Sequence, residues 1–166
     1  MVEKLKSTRK PARSELSREM ISEFLVFLCD EELFAVDLRT VHEIVIPPPI
    51  TVVPRAPSAV VGVCSVRGQL VTVVDLRRVL GLSQAEGERR ARILLAKVSE
   101  TDVVGLCVDE VKHVVRLTSS QIEITGQSLG GDGSDGVRGI GRPAGGEVIV
   151  LLDLLAVLNK GCGERS

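Results

Sequence analysis

The side chains that could hold a metal or attack a substrate are few: two histidines, His42 and His113, and four cysteines, Cys29, Cys64, Cys107 and Cys162. No C-x-x-C occurs, and neither histidine has a Cys or carboxylate at metal-ligand spacing. Both histidines fall in strand-like segments and read as solvent-facing strand residues. Cys64 lies near Arg67, whose guanidinium could lower a thiol pKa, but no base stands beside it and the position belongs to an apolar alternation. Three of the cysteines sit in apolar runs and read as small buried hydrophobes of a reducing compartment. The loop "GGDGSDGVR" matches one calcium-binding nonapeptide, but such sites need tandem copies, and a polar loop is the simpler reading. Neither G-x-G-x-x-G nor G-x-x-x-x-G-K-[ST] is present, and the paired Glu31 and Glu32 fall in a turn where solvation explains them. No residue is assigned a catalytic, cofactor-binding or metal-binding role, and the expectation is a protein that is not an enzyme.

Function classes narrow further on charge and composition. With 21 basic and 22 acidic residues in 166, the chain lacks the net positive charge that drives proteins onto nucleic acid or anionic membranes. No apolar run reaches the roughly 18 residues of a membrane span, since "VIVLLDLLAVL" is broken by Asp153, and the N-terminus has no signal-peptide h-region. The expected partners therefore exclude nucleic acid and direct membrane insertion, and the expected location is cytoplasmic. The apolar content is mostly Val, Leu and Ile, with three Phe and neither Trp nor Tyr, which favours strands around an aliphatic core.

The elements that must position any site follow from that pattern. Residues 1–20 read as a flexible N-terminal tail with six basic and three acidic side chains. From Ser22, "EFLVFLC", a "DEE" turn and "LFAVDL" read as a hairpin, and "VHEIVI" follows, stopped by Pro47–Pro49. Then "VVGVCSV", a turn at Arg67-Gly68, "QLVTVV" and a short helix "LRRVLGL" follow, with Asp75 as N-cap and Gly81 suited to close it. After a polar linker, "SQAEGERR", the order repeats. "ARILLAKV", "SETD" and "VVGLCVDEVKHVVRL" take the place of the opening hairpin, with Asp109 standing for Asp37. "VRGIGRPAGGEVIVLLDLLAVLN" repeats "VVGVCSVRGQLVTVVDLRRVLGL", with Gly139 for Gly62 and Asp153 capping a last helix. Matching positions lie about 72 to 78 residues apart, which predicts two similar lobes of mostly antiparallel strands, about 21–82 and 91–159, within a folded unit of 21–160 and a C-terminal tail of 161–166. Whether the first strand pairs inside its own lobe or crosses to the other is open at this level.

In order, spacing and repetition, "EFLVFLCDEELFAVDLRTVHEIV", "VVGVCSVRGQLVTVVDLRRVLGL", "VVGLCVDEVKHVVRL" and "VIVLLDLLAVL" resemble the CheW family of bacterial chemotaxis coupling proteins. The resemblance implies an all-β fold of two five-stranded, SH3-like barrels in tandem. It also implies an adaptor that joins the cytoplasmic hairpin tip of methyl-accepting chemoreceptors to the regulatory domain of a CheA-type histidine kinase. Carried over position by position, the partner-facing residues are Val41 and Glu43 in "TVHEIV", Gly62 in "VGV", Arg67 in "SVRG", and Val114 in the second lobe. The chain departs from the family at Ser65, usually Asn, and Thr72, usually Pro. These departures leave a place for a divergent paralogue serving a non-flagellar receptor–kinase pathway. A small-ligand-binding barrel with its pocket at the lobe junction is the competing class, weakened by the lack of aromatic and convergent polar residues.

Overall fold

The computed structural model describes residues 19–82, 91–124 and 136–163; the N-terminal arm up to residue 18, the "SQAEGERR" linker and most of the "GGDGSDGVR" loop lie outside them. The chain opens with β1 (Ile21–Cys29) and β2 (Glu32–Asp37), joined by Asp30 and Glu31, both at positive φ (52° and 65°). This two-residue mirror-image turn is the one whose twist matches a hairpin. Asp37 then caps a 3-10 turn, η1 (Leu38–Thr40), by accepting from the Arg39 backbone N–H at 2.9 Å. There follow β3 (Glu43–Val45), β4 (Val60–Val66), β5 (Gln69–Asp75), helix α1 (Leu76–Leu80), β6 (Arg92–Lys97) and β7 (Val103–Val108). After Asp109 come β8 (Glu110–Thr118), η2 (Ser119–Gln121), β9 (Ile122–Ile124), β10 (Val137–Gly141), β11 (Ile149–Leu152) and α2 (Leu154–Gly163). The last helix therefore runs beyond residue 160, where the sequence pattern placed the start of a tail.

The strands form two sheets of the same topology. The central sheet, in the order β3-β6-β7-β5-β4, uses a contiguous stretch of chain; the terminal sheet, β8-β1-β2-β11-β10-β9, is assembled from both ends. The first hairpin therefore crosses: β1 pairs with β2 on one side and with β8 on the other, while β11 runs parallel to β2. In the central sheet β7 plays the part of β2, pairing with β6 and running parallel to β5. Each sheet curls until its ends meet. Beyond β3, Thr51 exchanges two 2.8 Å backbone hydrogen bonds with Val63 of β4, and β8 leads through η2 into β9, which pairs with β10. The expected five-stranded pair of SH3-like barrels is thus two sheets, one carrying a sixth short strand whose counterpart in the other is the single Thr51–Val63 bridge.

The register corrects one equivalence. Val74 faces Leu106 and Asp75 faces Cys107, whereas Leu152 faces Val36, so Cys107 and not Asp109 occupies the place of Asp37. The recurring "VD" is a coincidence of composition. Asp109 stands two residues further on, where the chain crosses from the central barrel to the terminal one.

Three cores hold the molecule. Phe24, Val26, Ala35, Leu117, Ile149 and Leu151 fill the terminal barrel, and Cys64, Val71, Val73, Ile93, Leu95 and Val103 fill the central one. A third and larger core lies between the barrels, where Leu25, Phe27, Val36, Leu94 and Leu106 meet Leu76 and Val79 of α1 and Leu154, Val157 and Leu158 of α2. Alternation explains this: on β1, Phe24 and Val26 point into the barrel while Leu25 and Phe27 point into the third core, so both faces are buried. "FLVFLC" is consequently apolar throughout rather than alternating. Each fully buried Leu, Ile, Val or Phe contributes roughly 1.5–3 kcal/mol.

Candidate functional site

Glu43 and Arg67 stand at the seam of the central barrel. Glu43 begins β3, one edge of the sheet, where it pairs with Leu95 of β6; Arg67 occupies the β4–β5 turn at the opposite edge. Arg67 itself adopts a positive φ of 50°, followed by Gly68 at 80°, a two-residue mirror-image turn in which arginine takes a conformation usually left to Gly or Asn. That geometry brings the Arg67 guanidinium to Glu43, and Nη1 donates to Oε1 across the seam. The pair is exposed, with the Arg67 side chain 75% and Glu43 24% accessible, so it contributes only about 0–1 kcal/mol to stability.

The other expected residues are arranged around it unequally. Val41, half-buried, ends η1 and packs on the core between the barrels. Gly62 is buried beneath the returning chain: a Cβ there would lie 2.2 Å from the Thr51 carbonyl oxygen and 2.8 Å from Ile50 Cγ2. Gly62 therefore acts by letting residues 50–51 cross over β4, where the β4–β5 ladder also bulges between Val60 and Gly62. Val114 lies on the other barrel, in β8, 44% exposed and paired with Leu25. It holds the place in the terminal barrel that Ile44, 40% exposed and paired with Leu94, holds in the central one. The structure thus joins Glu43 to Arg67 directly, sets Val41 two residues away, and leaves Val114 on a separate edge strand.

Sequence reasoning missed the exposed aliphatic residues of the barrel that carries the seam. Ile44, Ile46, Val52 and Leu70 are accessible, and Val53, Pro57, Val63, Leu70, Val98 and Val103 help line an open groove of about 690 Å³ on the same barrel. The signal was available in "EIVIPPPITVV", whose odd and even positions are both apolar although only one face of an edge strand can be buried. The histidines are exposed, as expected.

The thiols are held neutral. Burial, aided by the neighbouring Asp109 carboxylate, pushes Cys29 up to about 12, and burial followed by Asp75 pushes Cys107 up to about 11. Burial also raises Cys64 and Cys162. A thiolate nucleophile is disfavoured at each position. Among the described residues no group of His, Cys, Asp and Glu side chains is placed to hold a metal ion, and no helix is long and apolar enough to cross a membrane. What the surface offers is an exposed ion pair on a barrel that also carries accessible Ile44, Ile46, Val52 and Leu70.

The profile of the CheW-like domain matches residues 23–162. The chain belongs to the CheW-like domain family. Among CheW proteins, that of Thermotoga maritima is 34% identical over 106 residues, covering 64% of this chain and 69% of that protein. The CheW of Helicobacter pylori is 24% identical over 160 residues, covering 96% and 94%. Protein FrzA of Myxococcus xanthus is 30% identical over 138 residues, covering 82% and 84%. In three dimensions the chain is similar to the crystal structure of the scaffolding protein CheW from Thermoanaerobacter tengcongensis, with a TM-score of 0.72 and 28% identity over 82% of this chain and 92% of that one. As a CheW-type chain it is a chemotaxis scaffold, a non-catalytic adaptor whose chemistry is recognition.

Proposed function

We propose that this CheW-like chain is a cytoplasmic adaptor that couples the cytoplasmic hairpin of methyl-accepting chemoreceptors to the regulatory domain of a CheA-type histidine kinase. The observation that carries the reading is the Glu43–Arg67 pair bridging the seam of the central barrel, on a barrel that also exposes Ile44, Ile46 and Leu70. Such a pair adds little to folding, but at an interface charges fix orientation and reject wrong partners while the apolar surroundings supply affinity. Arg67 and Glu43 dock the kinase; Val41 and Val114, with Ile44, give apolar area to the receptor hairpin; Gly62 shapes the face by holding residues 50–51 against β4. Each contact is small, and an array of many simultaneous engagements makes the assembly firm.

The competing small-ligand barrel needs a hollow at the lobe junction. That junction is filled by Leu25, Phe27, Leu94, Leu106 and the helix residues Leu154 and Leu158, which weighs against it.

The test is a titration of the purified protein with a kinase regulatory domain and, separately, with a receptor cytoplasmic fragment. Wild type binds both; Arg67→Glu and Glu43→Lys each weaken kinase binding at least ten-fold while the fold stays intact, and the double reversal recovers part of it. Absence of wild-type binding, or normal binding and kinase activation by both single variants, overturns the assignment.

A further inference from the structure

The chain passes between the barrels twice, and an aspartate marks each passage. At the first, Asp37 accepts from Nε and Nη2 of Arg39 at 3.1 and 2.8 Å, a local fork on a side chain that is 85% exposed. At the second, Asp109 is held by an arginine from elsewhere in the fold. Arg77, in α1, is only 8% exposed along its side chain; its Nε donates to Asp109 Oδ1 at 3.1 Å and its Nη2 to Oδ2. Arg77 Nη1 also lies 3.6 Å from Asp30 Oδ1, and Asp109 Oδ2 accepts from the Asp30 backbone N–H at 2.8 Å.

These contacts tie three pieces that belong to different bodies. Helix α1 packs on β5 and β7 of the central barrel. Asp109 is the link between β7 and β8, and its backbone N–H donates to Leu28 of β1 at 3.1 Å. Asp30 forms the tight turn of the terminal barrel's first hairpin, at a positive φ of 52°. The core between the barrels is built of aliphatic side chains with the Phe27–Phe34 ring pair and the Cys29 thiol among them, and apolar attraction of that kind leaves the direction of contact unspecified. A two-pronged guanidinium–carboxylate fork does not, because both donors must stay in the carboxylate plane. We propose that Arg77 is a positioning residue, the latch that fixes the angle between the two barrels. On the adaptor reading of the preceding subsection, which this inference extends, the latch holds the surfaces carrying Arg67 and Val114 in one mutual orientation.

The test uses residual dipolar couplings on the full chain, with one alignment tensor fitted to each barrel. In wild type the two tensors coincide. Arg77→Met, and Arg77→Lys, which keeps the buried charge but loses the fork, make them diverge while each barrel retains its own pattern of amide protection. The double variant Arg77→Met, Asp109→Leu removes both charges together and so avoids an orphaned buried carboxylate; divergent tensors with a melting temperature restored toward wild type separate orientation from stability. Coinciding tensors in the double variant and in Arg77→Lys overturn the latch. As a second reading, Arg77→Lys binds the isolated kinase domain within two-fold of wild type but activates kinase in the receptor assembly at least ten-fold less; equal activation overturns the functional consequence. If wild type binds no kinase domain, the adaptor reading fails and the tensor result stands alone.

Discussion

At the scale of single residues, several positions are constrained by the space or charge immediately around them. Gly62 is one: the Thr51 carbonyl oxygen sits where a Cβ would be, 2.2 Å away, and its φ of 157° is one that L side chains rarely adopt. Gly62→Ala should cost about 1–3 kcal/mol, read as a lowered urea midpoint, and Gly139→Ala should cost a similar amount because the Glu123 carbonyl oxygen lies 2.3 Å from its would-be Cβ. A neutral Gly62→Ala would mean that residues 50–51 give way freely. The buried thiols make a different prediction. Against an ordinary value of 9.0, Cys29 holds its proton to about 12 and Cys107 to about 11. Between pH 9 and 12 the unfolded chain therefore binds fewer protons than the fold, and stability falls as pH rises through that window. Denaturant titrations at pH 8, 9.5 and 11 should show the fall, and Cys29→Ala should flatten it. At pH 8 a thiol reagent should leave Cys29 untouched until the protein unfolds.

Elements show which interactions start and stop each piece. Helix α1 is only five residues long and owes its start to Asp75, whose Oδ1 accepts from the Arg77 backbone N–H at 2.9 Å, and its end to Gly81 in a left-handed conformation. Burial of the Asp75 carboxyl raises its pKa, so the fold penalises the charge that the cap carries. Asp75→Ala should lose about 1 kcal/mol of cap, while Asp75→Asn keeps the acceptor without the buried charge and should match or exceed wild-type stability at pH 7. Thermal melts of the two variants decide it; equal losses would show that the charge itself is needed. The same elements mark how far the sequence could be read. Turn chemistry revealed the hairpins, through "DEE", Arg67-Gly68 and "SETD", and the caps Asp75 and Gly81 were visible directly. Partner choice was not: β1 lies between β2 and β8, a pairing set by which faces meet the core between the barrels, and local propensity is silent on that. The two-faced apolar run of β1 was its trace. At the site, Glu43 and Arg67 came from the family resemblance; their meeting depends on closure of the central sheet between its edges β3 and β4, which no local pattern describes. A glycine inside the β4 pattern pointed to a bulge or a close backbone approach, and Gly62 has both; which segment approaches depends on the path of the chain after Pro47–Pro49, which no periodicity describes.

The whole molecule behaves as one unit because the largest core belongs to neither barrel alone. Leu25, Phe27 and Val36 from the terminal barrel, Leu94 and Leu106 from the central one, and both helices share it, so losing either barrel strips the other of a face. Unfolding should follow a single transition, with calorimetric and van't Hoff enthalpies equal; two resolved transitions would show that each barrel stands by itself. The shared plan also leaves the two barrels chemically unlike. The central barrel's groove is lined by Val53, Val63, Leu70 and Val98 with one Arg55 and one Asp102 among them, whereas a groove of about 550 Å³ at the matching end of the terminal barrel carries Glu31, Glu32 and Glu147 with Lys112 beside Leu33 and Val148. One architecture used twice thus presents two surfaces that differ in charge.

The interrupted origin of the terminal sheet has a consequence for how the protein is made. A ribosome releases the strands of the central sheet in one uninterrupted passage, from Glu43 to Val108, but β1 and β2 emerge first and meet β11 only when Leu152 appears. At ordinary elongation speeds that delay is roughly 10 s, during which a hairpin greasy on both sides has no finished home. The nascent chain must carry its opening segment as an unsheltered guest, and that interval is where holding chaperones have most to protect.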